Sequence, residues 1–242
     1  DEVLELVGDD GSVGAGIILG SPIAWGLMGK GMVRREKLEF EAAEEFFERA
    51  LQIALEEDDP ETASWARSNQ AGLLAMRGEP DAAVAVARRN LELTDKLGDV
   101  FSRSLAFSNL SWAQLNNGDA EGALESIEES ERLYRETMDS GGEMAAWRAH
   151  LRSQALREVG RLEEAIEAAE WAAETSLERG FLWTYPAAAL ALSRALRAAG
   201  RPGASEALAE SERVARETGA ETLLVELVVE REALEAGAGR AG

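Results

Sequence analysis

Cysteine is absent from the 242 residues, and histidine occurs once, at His150. These gaps exclude disulfide frameworks, thiolate nucleophiles, cysteine metal sites and any multi-histidine zinc or iron centre. Basic residues are also scarce: 25 Lys and Arg stand against 46 Asp and Glu, a formal charge of −21. Phosphate-backbone binding is driven by counterion release onto Lys and Arg, so direct nucleic-acid contact is not expected. The chain starts at Asp1, with no initiator Met and no basic region before an apolar stretch. No secretory signal is read, the sequence reads as a fragment, and a cytoplasmic location is expected. What is present is 45% hydrophobic and 29% charged residues, the balance of a folded globular chain.

The main organisation is an internal repeat. Gly78-Glu79-Pro80-Asp81-Ala82-Ala83, Gly118-Asp119-Ala120-Glu121-Gly122-Ala123, Gly160-Arg161-Leu162-Glu163-Glu164-Ala165 and Gly200-Arg201-Pro202-Gly203-Ala204-Ser205 share one layout, with glycines 40, 42 and 40 residues apart. A further 40 residues back stands Leu38, followed by Glu41-Ala42-Ala43: the same layout without its turn glycine. Thirteen residues before these five anchors stand Trp25, Trp65, Leu105, Trp147 and Ala187; seven before stand Gly31, Ala71, Ser111, Ser153 and Ser193. The first column is mostly large and apolar and the second always small.

Each unit reads as a helix pair. Trp65, Gly72 and Met76 are spaced near helical intervals, as are Ala83, Ala87 and Leu91. Gly78, Gly118, Gly160 and Gly200 would supply the positive φ that ends the first helix; Pro80 and Pro202 stand where the second begins. Asp59-Pro60-Glu61 and Thr184-Tyr185-Pro186 repeat that start signal at first helices. The small column lets the two helices approach closely, answered from the second helix by Ala43, Ala83, Ala123 and Ala165. One pair cannot bury its apolar face alone, so the pairs stack.

The second helices carry a resemblance. Ala43-x3-Phe47 followed by Ala50 resembles the second-helix signature of tetratricopeptide repeats, echoed by Ala165-x3-Ala169 with Ala172. The pattern covers about four-fifths of the chain; the period exceeds the family's standard ~34 residues, and the full first-helix signature and terminal proline are missing. The resemblance implies an all-α, right-handed α-solenoid of helix-turn-helix repeats. Residues 1–10 read as the end of a preceding helix, and the repeats as 11–58, 59–98, 99–139, 140–180 and 181–219. Residues 220–236 read as a capping helix, with Glu230, Glu232 and Glu235 on its wet side, and 237–242 as a disordered tail. The stretch from Gly8 through Gly14-Ala15-Gly16-Ile17-Ile18 to Trp25 also resembles the C-terminal helical-repeat arm of large bacterial signalling proteins that join an ATPase switch to a nucleotide-cyclase or DNA-binding output.

Catalytic motifs are weak. Ala24-Trp25-Gly26-Leu27-Met28-Gly29-Lys30-Gly31 has the Gly-Lys of a phosphate loop but lacks its first glycine and its metal-binding hydroxyl. Gly14-x-Gly16-x3-Gly20 misses the dinucleotide spacing. Val13 to Gly29 is uncharged but broken by Pro22 and in register with the repeats, so it reads as a buried first helix and not as a membrane span. His150 has no second histidine, and Arg148 and Arg152 nearby are expected to depress its pKa. Ser153 has no orienting carboxylate or oxyanion signature, and Glu44 with Glu48 is one pair among many acids. Glu45 with Arg49, Glu128 with Arg132 and Glu131 with Arg135 read as solvated i,i+4 pairs. No catalytic residue, cofactor or metal is assigned.

What remains is a charge asymmetry: second helices are acidic, while first helices carry Arg67, Arg103, Arg148, Arg152, Arg157, Arg194 and Arg197. In a tetratricopeptide-like solenoid the first helices line the concave face. The resemblance therefore implies a binding strip from Ser68, Asn69, Ser108, Asn109, Trp112, His150, Gln154, Arg157, Arg194 and Arg197, with Asn69 and Asn109 holding an extended backbone. Trp25, Trp65 and Trp147 are expected to pack between repeats. The reading is a non-catalytic sensor or scaffold arm of a bacterial signal-transduction protein, binding a protein or peptide partner or a sister domain. The alternatives are a free-standing adaptor, a self-assembly module, and an enzyme with its active site on this chain.

Overall fold

The computed structural model describes residues 21–137 and 142–238. Eleven helices occupy them: α1 (Pro22–Glu36), α2 (Phe40–Glu56), α3 (Pro60–Met76), α4 (Pro80–Leu97), α5 (Val100–Asn116), α6 (Ala120–Thr137), α7 (Glu143–Glu158), α8 (Leu162–Arg179), α9 (Tyr185–Ala198), α10 (Ala204–Thr218) and α11 (Glu221–Ala238). No strand occurs among the described residues.

Local chemistry sets the helix ends. Asp59 and Asp99, one repeat apart, cap α3 and α5: Asp59 Oδ1 accepts from Thr62 N at 3.1 Å and Asp99 Oδ2 from Ser102 N at 2.7 Å. Pro60 follows Asp59 at the first helical position, where no N–H is needed. Asp59 Oδ2 also accepts from Ser21 N, 2.9 Å away, tying the start of α1 to that of α3. First helices end on residues of positive φ: Gly78, Gly118, Gly160 and Gly200, with Leu38 taking the same backbone at φ 60°. The closing bond after the left-handed residue recurs: Glu79 N donates to Leu74 O, Arg161 N to Leu156 O, and at the Leu38 turn Glu39 N to Arg34 O. A second left-handed column, Asp58, Gly98, Gly180 and Gly219, ends the second helices.

The chain divides into two compact units, residues 1–118 and 119–242, at the turn after α5. In the first unit α1, α3 and α5 stack side by side, while α2 packs on α1 and α3, and α4 on α3 and α5. Its core is assembled from Ala24, Leu27, Met28, Phe47, Leu73, Ala83 and Leu110. The small column works by contact: a Cβ on Gly31 would lie 2.5 Å from Phe47 Cε1. One residue further along, in the adjacent column, a Cβ on Gly72 would overlap the Trp112 ring. In the second unit α7, α9 and α11 form the stack, with α8 packed on α7 and α9, α10 on α9 and α11, and α6 on α7. Leu156, Ala165, Ala195, Leu190, Leu208 and Leu227 are buried there.

Two expectations change at the C-terminal end. Glu230 is not on a wet side: α11 turns it inward, 2% exposed, because Arg197 meets its carboxylate. The helix also continues through Gly237 and Ala238, since nothing before them breaks it, so a tail starting at 237 is corrected by two residues. Residues 239–242, 1–10 and the Gly14–Gly20 motif lie outside the described residues. The Gly-Lys segment 24–31 lies within α1, where its backbone is helical and no phosphate loop forms.

Candidate functional site

The candidate strip divides when its side chains are placed. Ser68, Ser108 and His150 are buried and leave the open face. Ser68 occupies the side of α3 that meets its partner helix, where its Oγ accepts from Asn90 Nδ2 of α4 at 3.0 Å; Ser108 Oγ donates to Ser104 O within α5 at 3.3 Å. His150 is held by Trp147 O, 2.8 Å from Nδ1, and burial pushes its pKa down to about 4, so the ring is neutral at pH 7. The cationic neighbour that contributes is Arg194 of α9; Arg148 and Arg152 are not among the causes. Trp112 is also redirected, its half-buried ring lying on Gly72 between α3 and α5. Trp25 and Trp65 meet with centroids 5.6 Å apart; Trp147 stacks on Trp183 at 5.2 Å.

Asn69, Asn109, Gln154, Arg157, Arg194 and Arg197 remain half-buried. Asn69 Nδ2 donates to Trp65 O at 3.0 Å and Asn109 Nδ2 to Leu105 O at 2.9 Å, so both amides are spent along their own helices. Asn69 Oδ1 accepts from Arg35 Nη1 at 3.4 Å. This contact has a counterpart 162 residues on: Arg197 donates to both oxygens of Glu230, at 2.7 and 2.9 Å. Arg35 and Arg197 stand three residues before Leu38 and Gly200; Asn69 and Glu230 stand eleven residues after Asp58 and Gly219. An arginine at the end of one first helix thus reaches an acceptor on the next.

Arg157, three residues before Gly160, is the third arginine of that column. The residue eleven after Gly180 is Ala191, which offers no side-chain acceptor. Arg157 Nη2 turns instead to its neighbour Glu158 at 2.5 Å, and its Nε is buried with no hydrogen-bond partner. Burial, with Arg194 and Arg197 nearby, lowers its pKa. A buried guanidinium N–H without an acceptor is costly, and Arg152 Nε of the same helix is left in the same state. The column of arginines is visible in the sequence; that one lacks its acceptor is not, because it depends on which residue of the next repeat faces it.

A second feature has no sequence signal. A cleft of about 320 Å³ opens between α6, α7 and α8, lined by Glu131, Tyr134, Arg148, Arg152 and Trp171 among others. Arg148 is fully buried at its floor, 4.2 Å from the Tyr134 ring centroid, with Nε donating to Ser130 Oγ at 2.9 Å. Burial lowers the Arg148 pKa to about 10 and raises that of Glu131. Arg152 and Arg135 lie 3.8 and 4.0 Å from Glu131, and the Trp171 ring is 42% exposed at the rim. Glu131 with Arg135 is therefore one edge of a shared cluster. Among the described residues no His, Cys, Asp or Glu group could hold a metal ion, and no helix is long and apolar enough to cross a membrane.

The tetratricopeptide repeat family model matches residues 64–89 and 186–211, which span the turns after α3 and α9. No characterised protein matches the chain in sequence. Among solved structures, the chain is similar to a Rap protein complexed with Competence and Sporulation Factor, at 17% identity and TM-score 0.72 over 97% of this chain and 62% of that one. It is similar to Bacillus thuringiensis PlcR, in complex with the peptide PapR7 and DNA, at 13% identity and TM-score 0.65 over 87% and 73%. A signal transduction ATPase with numerous domains, carrying a tetratricopeptide repeat sensor, from Pyrococcus horikoshii matches at 16% identity and TM-score 0.56, over 90% of this chain and 37% of that one. The helix pairs, the matched repeats and these likenesses make the fold a tetratricopeptide-like α-solenoid.

Proposed function

We propose that this tetratricopeptide-like α-solenoid is a non-catalytic protein-interaction and regulatory arm that captures an acidic partner segment on the face formed by its first helices. The observation that carries the reading is the empty acceptor position at Arg157, whose equivalents Arg35 and Arg197 receive Asn69 and Glu230 from the next first helix. A carboxylate or backbone carbonyl from the partner would take the place of the missing acceptor, with Gln154 beside it. Asn109 and Asn69 belong to the same face of the first unit. Two solved structures of similar fold support the reading, one with the peptide PapR7 and one with Competence and Sporulation Factor. A bacterial signalling parent and a cytoplasmic location complete the proposal.

The test is fluorescence anisotropy of a labelled Glu-rich peptide against the wild type and Arg157→Gln. Loss of about tenfold in affinity, with an unchanged melting curve, is expected. Equal binding by both proteins would remove Arg157 and the first-helix face from the site. Arg194 is a poor probe, because it sits 2.9 Å from Glu226 and 3.9 Å from Glu230 and its loss would disturb α11.

A further inference from the structure

The face of α11 that carries Val225 and Val229 occupies a special position in the repeat. Counted from the left-handed residues Asp58, Gly98 and Gly219, the first helix begins two residues on in each case. The sixth and tenth residues are Ser64 and Ser68 in α3, Ser104 and Ser108 in α5, and Val225 and Val229 in α11. In α3 and α5 all four serines are buried, and Asn90 of α4 donates to Ser64 O at 3.1 Å and to Ser68 Oγ, so in α3 this is the side a second helix covers. The same side of α9 is covered by α10, where Ser211 Oγ donates to Pro186 O at 2.6 Å. In α11 none of the described residues covers it: Val225 is 56% and Val229 60% exposed, with Val228 beside them. The opposite side of α11 is filled by Leu227, Leu224 and Leu234 against Leu190, Leu208 and Ala215.

The exposed valines leave apolar surface in water that a helix packed on this face would bury. We infer that α11 is the first helix of a sixth pair and that its Val225–Val229 face docks an amphipathic helix of a different protein, one with an apolar stripe at i, i+4, i+7 and i+11 and basic flanks. The stripe is the spacing of the second helices here, as in Ala43, Phe47, Ala50 and Ala54, all fully buried. The charge follows from the rim, where Glu226, Glu232 and Glu235 are exposed beside the valines. A second copy of this chain is the wrong occupant, because its second helices are acidic and each copy carries −21.

The probe is a synthetic peptide of Leu162–Arg179, which has the stripe, with lysine in place of its exposed glutamates. Titrated into the full chain, it should bind, and Val225→Asp with Val229→Asp should weaken it by at least about tenfold without lowering the melting temperature. The unmodified acidic peptide should bind more weakly than the lysine version. Equal affinity for wild type and the double variant would overturn the inference, because a basic peptide attracted only by net charge would not sense the valines. Concentration-dependent dimerisation of the wild type abolished by the same variant would also overturn it, placing a second copy on the face.

Discussion

The two units fill equivalent positions of the same repeat with opposite chemistry. Six residues before the turn, Gly72 and Trp112 in the first unit lie one on the other, so α3 and α5 approach through a ring on bare backbone. In the second unit that column holds Gln154 and Arg194, and Arg194 reaches Glu226 and Glu230 on α11. Around it the second unit buries Arg148, His150 and Glu230. Ring-on-glycine contacts hold helices at fixed spacing and offer a ligand nothing. Buried charges need partners: Arg197 finds Glu230 on the next first helix, whereas Arg157 turns to its neighbour Glu158 and leaves its Nε without an acceptor.

Breaking each kind of contact sharpens this contrast. The largest effect is expected from Phe47→Ala: the ring is fully buried and lies on Gly31, so chemical denaturation should show a loss of about 3–5 kcal/mol. In the second unit acid should do the comparable damage. His150 has an ordinary pKa of 6.5 but one of about 4 when folded, so between those values the unfolded chain takes up a proton that the folded chain refuses. Stability is therefore lost as pH falls through that window, by about 3 kcal/mol once pH is below 4. Urea titrations at pH 7 and pH 4 should show this increment in the wild type and not in His150→Gln; the same pH dependence in both would exclude the histidine as its source.

Smaller effects test the close approaches. Gly72→Ala places a methyl against Trp112 and should cost about 1–3 kcal/mol, read as a lower thermal midpoint; pairing it with Trp112→Leu should recover part of the loss. The smallest change should be stabilising. Leu38 holds φ 60° where Gly160 and Gly200 stand in the second unit, so Leu38→Gly should relieve a left-handed strain of roughly 1 kcal/mol. A decrease in midpoint would mean that the half-exposed leucine side chain contributes more by packing than its backbone costs.

The helix-pair organisation was legible because it rests on local chemistry repeated at a fixed interval. Turn glycines of positive φ, aspartate caps such as Asp59 and a buried Ala43, Ala83, Ala123, Ala165 column each act within one or two turns of helix. The strip was legible only as a set of columns. Helix rotation decides which column faces out, and a register error of one residue separates buried Ser68 from half-buried Asn69. The cleft above Arg148 was invisible for a different reason: Glu131, Arg148 and Trp171 come from three helices and share no motif.

The period, the helix ends and the acidic balance follow from the residues alone, since propensity, capping and charge are properties of residues and their near neighbours. Tertiary structure decided which polar groups found partners. Glu230 became the buried acceptor of Arg197, His150 a neutral core residue, and Arg157 Nε a donor left without an acceptor. Those outcomes depend on what the neighbouring repeat presents across a few ångströms, and burial makes each pairing, or its absence, energetically decisive.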